Sequence, residues 1–280
     1  KIDQQGIFVQ RGKTALYQLT YSDSTNYDYT SGEVTTLAPE ITGAGITRMA
    51  VQRQPDTRIH CVRTDGKVAV WLTDEAENVS CWILVECADG LIEEVFILPD
   101  DNTEDRVYYV VKRTIDGATV RYIEKWSLES ECQGGTLNKQ LDSFITVSQT
   151  ASTTISGLTH LEGETVHVWG DGRYDGSFTV SSGAITTTTA IAEGVVGLTY
   201  TANFKSTKLA YASGMGTALT QTKLVTQMGV IARNLHHKGV TFGPSLTELS
   251  DLPQTQDFAT IAADTVHTDY DEQTVPFGGH

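Results

Sequence analysis

Proline is scarce in this chain, 6 residues in 280, and cysteine is scarcer still at 4. So little proline argues against a collagen-like or proline-rich extended chain, and 39% apolar residues argue against disorder. The four cysteines, Cys61, Cys81, Cys87 and Cys132, form no CxxC pair, and none stands at zinc-finger spacing from a histidine. Long apolar runs are missing too. Runs such as Trp82 to Val85 beside Cys81 fall far below the ~18 residues of a membrane-spanning helix. Basic residues are outnumbered, 20 against 35 acidic, and a net charge of −15 argues against a nucleic-acid grip or an anionic-membrane anchor.

What remains is a soluble globular chain of 30.5 kDa, enough for a hydrophobic core without a disulfide or metal staple. The length suits one large domain or two moderate ones. The chain opens Lys1-Ile2-Asp3, with no initiator methionine, basic leader or apolar signal stretch. It closes Pro276-Phe277-Gly278-Gly279-His280, just after an apolar turn, and we expect a piece of something longer. Cys61 alternates with Ile59 and Arg63 along a strand-like run, which predicts a buried, reduced thiol and a reducing compartment during folding.

The dominant period is two. Threonine is unusually common, about forty residues, and together with Val, Ile and Tyr it suits half-buried pleated surfaces. Gly6 to Thr20 predicts a hairpin turning at Arg11-Gly12-Lys13. Arg58–Val62 and Lys67–Leu72 flank Thr64-Asp65-Gly66; Val107–Arg113 and Ala118–Lys125 flank Ile115-Asp116-Gly117. In both, the turn residues tolerate positive φ, the requirement of tight hairpins. Ile46–Val51 precedes the first of these hairpins and Ile92–Ile97 the second, with a further strand at Val79–Val85. The offset from Met49 to Val95, about 46 residues, matches a four-stranded propeller blade, although no Trp-Asp or kelch signature is present.

The predicted fold is therefore all-β: incomplete or composite propeller-like blades over residues 1–140, then an inserted small β-sandwich or barrel over 141–205, then return strands and an extended arm over 206–280. In the inserted part we expect short strands at Phe144–Val147, Thr153–Ile155, Thr165–Trp169, Gly176–Val180, Ala184–Thr187 and Val195–Phe204. The best helix candidate is Ser206 to Gln221, weakened by Gly214 and Gly216. Leu224–Asn234 and Lys238–Phe242 read as strands. Beyond Ser245 a long arm with Leu246, Leu249, Leu252 and Phe258 is expected to run over the surface.

Chemistry-bearing patterns are weak. Glu93 and Glu94 are adjacent on a predicted strand and so point to opposite faces, wrong for an acid/base pair. Asp100 to Asp105 lacks the glycine and terminal glutamate of a calcium loop and reads as a solvated loop tip. Asp171-Gly172-Arg173-Tyr174-Asp175-Gly176 reads as two hairpin turns in succession. Among His60, His160, His167, His236, His237, His267 and His280 there is no HxxxH or HExxH, and the adjacent pair His236-His237 cannot face one metal from a strand. There is no GxSxG elbow at Gly243-Pro244-Ser245, no dinucleotide fingerprint at Gly43-Ala44-Gly45 and no Walker A motif. Asn78-Val79-Ser80 is a glycosylation pattern only. Trp71, Trp82, Trp126 and Trp169 lie in predicted strands, where core filling is commoner than sugar stacking. No catalytic, cofactor-binding or metal-binding residue is predicted.

Several stretches resemble one family. Ile7-Phe8-Val9-Gln10-Arg11-Gly12-Lys13 with Leu16-Tyr17-Gln18-Leu19-Thr20-Tyr21 is similar to the opening of the tail nozzle proteins (tail tubular protein B, or stabilisation proteins) of short-tailed bacteriophages. Leu37-Ala38-Pro39-Glu40-Ile41-Thr42, Gly45-Ile46 and Met49-Ala50-Val51-Gln52-Arg53-Gln54-Pro55-Asp56 are the most specific part, and Cys61-Val62-Arg63-Thr64-Asp65-Gly66 continues it in order. His160-Leu161-Glu162-Gly163-Glu164-Thr165-Val166 with Asp171-Gly172 resembles the family's inserted β domain; Val196–Tyr200, Val240–Pro244 and Val275–Gly279 also fit. The resemblance implies a structural virion protein, one subunit of a homo-oligomeric, six-fold ring in the tail. That ring would be assembled in the host cytoplasm, meet tail adaptor and tail fibre proteins, and let DNA pass without sequence-specific binding or membrane insertion. It implies no enzyme and no cofactor. The alternatives are a receptor- or glycan-binding tail module and, less favoured, a polysaccharide-degrading tail enzyme with two facing carboxylates.

Overall fold

The computed structural model of the chain describes residues 5–22, 28–74, 76–100, 104–206, 212–213, 216–217, 227–253, 255–256, 259–262 and 264–276. These form several small antiparallel sheets, none of them closed, with only three single-turn 3-10 helices between strands. No helix among them is long and apolar enough to cross a membrane, which says nothing of strands.

The first sheet is a meander of β1 (Gly6–Val9), β2 (Leu16–Ser22) and β3 (Asp28–Glu33). The second is a four-stranded meander of β4 (Ile46–Gln52), β5 (Arg58–Arg63), β6 (Val68–Asp74) and β7 (Val79–Val85). The third holds β8 (Gly90–Leu98), β9 (Arg106–Ile115) and β10 (Ala118–Lys125). All the hairpins read from the sequence in this half are present, turning where Lys13, Gly66, Asp116 and Gly117 take positive φ.

Alternation explains how the three sheets stack. On β5 and β6, Ile59, Cys61, Ala69 and Trp71 enter a core shared with Leu16 and Ile46. Residues of the other parity, Val62, Val68 and Val70, enter a second core with Ile92, Val95, Val107, Tyr109 and Val111 of the third sheet. The central strands β5 and β6 are thus buried on both faces along Ile59–Val62 and Val68–Trp71.

The inserted part differs from expectation in its strands. Four are present, β11 (Asp142–Ser156), β12 (Thr165–Gly170), β13 (Arg173–Thr179) and β14 (Ala184–Leu198), in the order β11-β14-β12-β13. The two 15-residue strands each replace a predicted pair of short ones, because register shifts between Ser148 and Thr154 interrupt the alternation without ending the pairing. β14 stops at Leu198, so Thr199 to Phe204 are not strand. Asp171-Gly172 is the only turn in its stretch; Asp175 and Gly176 lie within β13, beside a bulge. Ile155, Leu161, Val166, Val168, Ile185, Ile191 and Val196 form this sheet's core, which also takes in Ile115 and packs against Val120 and Tyr122 of the third sheet.

Within the predicted helix Ser206–Gln221, the described residues past Ser206 form two short paired strands, β15 (Ala212–Ser213) and β16 (Gly216–Thr217), and the rest of that range lies outside the described residues. β17 (Gln227–His236) confirms the strand predicted at Leu224–Asn234, whose first three positions, like Phe258, lie outside the described residues. β18 (Thr241–Ser245) pairs with β19 (Glu248–Asp251), and β20 (Thr255–Gln256) with β21 (Ala259–Thr260). The final stretch is not a lone arm. β22 (Val266–Pro276) returns along β17 as an antiparallel ribbon, from His236 opposite Val266 to Gln227 opposite Pro276.

Gly66 joins the second sheet to the third: its carbonyl accepts the Ile92 N–H at 2.8 Å. Its φ is +77°, and an added Cβ would meet Leu91 Cβ at 2.8 Å. Gly117 has a similar φ of +73° in open space. Gly117→Ala should therefore cost about 1–2 kcal/mol for the left-handed backbone alone, and Gly66→Ala clearly more, measured as the shift in urea-unfolding free energy. Equal losses at the two glycines would show that the Leu91 contact adds nothing.

Candidate functional site

The densest cluster of ionisable groups lies where the third sheet meets the start of β11. Arg113 falls in the parity series Val107, Tyr109, Val111, Arg113, Ile115 of β9, so its side chain is carried inward and is only 1% exposed. A buried guanidinium needs acceptors on every edge. Nε and Nη2 donate to the two Glu124 oxygens at 2.7 and 2.8 Å, Nη2 also reaches Asp142 Oδ1 at 3.3 Å, and Nη1 donates to the Ala88 carbonyl. Asp142 is itself held by the Ala88 N–H at 2.6 Å and the Ser143 N–H at 2.8 Å, and the Ser143 hydroxyl donates to Glu124.

Burial raises the Asp142 carboxyl above its ordinary value against the pull of Arg113. Burial works to lower Arg113, but the Glu124 hydrogen bond and the charges of Glu124 and Asp142 outweigh it and hold it above the usual arginine range. Cys87 stands beside them, its thiol pushed up to about 12 by burial and then by Asp142. It is no nucleophile at neutral pH. Cys87, Glu124 and Asp142 each offer a ligand atom within 4.8 Å of the others. Both carboxylates are already engaged by Arg113, so the geometry is that of a brace between sheets, not a cation cage.

A second buried polar centre lies between the second and third sheets. His60 of β5 is fully buried, its Nδ1 2.7 Å from the Tyr109 hydroxyl and its Nε2 3.2 Å from Gln52 Oε1. The Gln52 amide nitrogen donates to the Gln54 carbonyl, so Oε1 can only accept. His60 therefore donates from Nε2 and accepts from Tyr109 at Nδ1, a neutral ring. Trp126 packs edge-on against it, ring centroids 5.3 Å apart. Burial, and then the charge of Arg58, push His60 down to about 4.

The residues singled out from the sequence scatter. Glu93 pairs with Arg121 at 2.6 Å and Glu94 with Arg48 at 2.8 Å, at a register shift between Ile92 and Glu94 that interrupts the pleat of β8. The expected solvated tip at Asp100–Asp105 is corrected in part. Positions 101–103 lie outside the described residues, whereas Glu104 and Asp105 are buried and accept backbone N–H groups from opposite directions. Asp105 takes Arg53 at 2.7 Å and Gln54 at 3.1 Å; Glu104 takes Glu129 at 2.7 Å and Ser130 at 3.2 Å. Burial raises the Glu104 carboxyl, but the Ser130 side chain and these N–H groups prevail and bring it below the ordinary value.

Asp171 caps the Ala192 and Glu193 N–H groups, and Asp175 binds Thr188 and Thr189. His160 donates to the Ser143 carbonyl, His167 meets the Tyr174 hydroxyl, and His237 meets His267. All four cysteines are free; Cys61 is buried as predicted, with its thiol raised to about 12 by burial. Cys81 is exposed.

The four tryptophans are engaged in packing. Trp71 and Trp82 stack at 6.0 Å and donate to Ser80 and the Val34 carbonyl; Trp169 donates to the Gly135 carbonyl. A depression of 370 Å³ lined by Asp65, Lys67, Glu86, Asp89 and Lys112 mixes both charge signs without converging polar groups. The most distinctive surface is β7. It is an uncharged edge strand, Val-Ser-Cys-Trp-Ile-Leu-Val, with Val79, Ile83 and Leu84 exposed, Ile83 by 53%. Its outer edge has no partner strand among the described residues.

Sequence reasoning missed Arg113 and His60, although parity along β9 and the apolar neighbours of His60 in β5 were available signals. Comparison with protein-family profiles gives no match, and comparison with curated proteins gives none either.

Arg113→Met should leave Glu124 and Asp142 uncompensated and lower stability by roughly 3–5 kcal/mol in urea unfolding at pH 7. The His60 centre adds a pH dependence. The unfolded chain takes up the histidine proton near 6.5, the folded one only near 4, so between these values the unfolded state binds more protons. Stability from this group is complete above pH 6.5 and lost as pH falls towards 4, on the order of 3 kcal/mol in all. Urea midpoints at pH 7.5 and 5 should fall further for wild type than for His60→Gln; equal falls would contradict it.

Proposed function

We propose that this chain is a structural subunit of the tail nozzle of a short-tailed bacteriophage, one wall segment of the ring through which the genome leaves the particle. The observation that carries this reading is the uncovered edge of β7. An uncharged strand exposed on both faces is ordinarily an aggregation hazard, and its natural use is to be covered in an assembly. The ordered resemblance along the sequence supplies the kind of assembly, a six-fold homo-oligomer seated between tail adaptor and tail fibre proteins in the virion. The stacked meanders follow the strand order of propeller blades, with four strands in the second and three in the first and third, and β7 is the edge where the second of them stops.

No catalytic step belongs to this reading. The ionic and imidazole clusters at Arg113 and His60 are tied into the scaffold, and each is accounted for by burial. A net charge of −15 also suits a conduit whose walls repel phosphates and let DNA slide. The glycan-binding alternative has no tryptophan platform behind it, since the indoles are packed against neighbours.

Class averages of the purified protein by electron microscopy test the proposal. Rings with an axial hole are expected, at a mass near six copies. A compact monomer at every concentration, or a two-fold dimer without a hole, would overturn it.

A further inference from the structure

The ribbon of β17 and β22 brings two histidines together at its base. Leu235 lies opposite His267, and the chain then turns away past His236. The turn is pinned by the Gly239 N–H to the His236 carbonyl at 2.7 Å and by the His237 N–H to the Thr265 carbonyl at 2.9 Å. The second of these bonds ties His237 to the segment entering β22. The His237 side chain is directed onto His267, with Nδ1 3.2 Å from Nε2, ring centroids 5.3 Å apart and the rings tilted by 59°. His237 is only 4% exposed.

We infer that His237 Nδ1 and His267 Nε2 form a two-imidazole site for a borderline divalent transition-metal ion such as zinc, with water in the remaining positions. Two imidazole nitrogens at this distance share one proton in the metal-free pair. When the donating ring moves that proton to its other nitrogen, two lone pairs face the same point, and no proton is gained or lost overall. Zinc–nitrogen bonds of 2.0–2.1 Å at a tetrahedral angle place the two nitrogens about 3.3–3.4 Å apart, and at a right angle about 2.9 Å. The observed 3.2 Å lies between them, so the pair is already set at the bite of a metal chelate.

All-nitrogen donors select zinc, nickel or copper over magnesium or calcium. Burial, and then the neighbouring His237 and His236, hold His267 below its ordinary value, which favours the neutral ring a metal needs. His236, which packs edge-on against Trp169, stands beside the pair, and the charges of Asp264 and Lys238 act on it. The site joins residues 30 apart, so an ion there would cross-link the ribbon's two strands at their base. The inference stands on this geometry alone, whatever the chain assembles into.

The test is calorimetric titration of zinc chloride into the chelator-stripped full chain at pH 7.5, with thermal melts alongside. Wild type, Cys81→Ser and His236→Gln should show the same saturable site and a raised melting temperature. His237→Gln and His267→Gln should each weaken binding at least tenfold and lose the shift. Ring-nitrogen NMR of wild type covers the case in which a variant does not fold, since zinc should then move the His237 and His267 signals before those of other histidines. Absence of saturable binding by wild type, retention of it in either paired variant, or first movement of other histidine signals would overturn the site.

Discussion

Two central strands buried on both faces leave no solvent for the side chains along their middles, and this constraint governs the first half of the molecule. Each buried residue of β5 and β6, Ile59 to Val62 and Val68 to Trp71, faces one side or the other, so parity decides its chemistry. Apolar residues satisfy that demand directly. Polar residues satisfy it only by arriving with a partner, as His60 does with Tyr109 and Gln52. The same logic on β9 places Arg113 inward and obliges β10 and β11 to supply Glu124 and Asp142.

The Arg113 brace lies where the third sheet meets the inserted one. The inserted sheet is not an appendage hung on a linker: its core takes in Ile115 of β9, and its first residue, Asp142, is a ligand of the guanidinium. Displacing that sheet from the third would expose apolar surface and break a buried ion pair together. The polar centres stiffen the joints between layers, while the surfaces free to meet other molecules are apolar strands such as β7.

Much of the fold was legible because its turns have local chemistry. Asp65-Gly66 and Asp116-Gly117 announce hairpins whatever lies around them, since positive φ is required at the turn itself. The long strands β11 and β14 were not legible as single elements, because each bulge shifts the phase of alternation and makes one strand look like two. The pairing of β22 with β17 was hidden for another reason: it joins segments separated by four shorter strands, and no local signal marks the partner. Of the polar centres, Arg113 was accessible from parity alone. Its carboxylate partners were not, since Asp142 comes from an element whose start had been placed two residues late.

Glu104 and Asp105 are neighbours in the chain, yet one grips Glu129 and Ser130 and the other Arg53 and Gln54. The backbone at these two residues is thereby a tie-bar between stretches more than seventy positions apart. The ion pair of Arg58 with Glu129 spans the same joint, so charged side chains hold those stretches to each other outside any strand ladder. Such a joint fastens two distant stretches at a knot rather than along a seam.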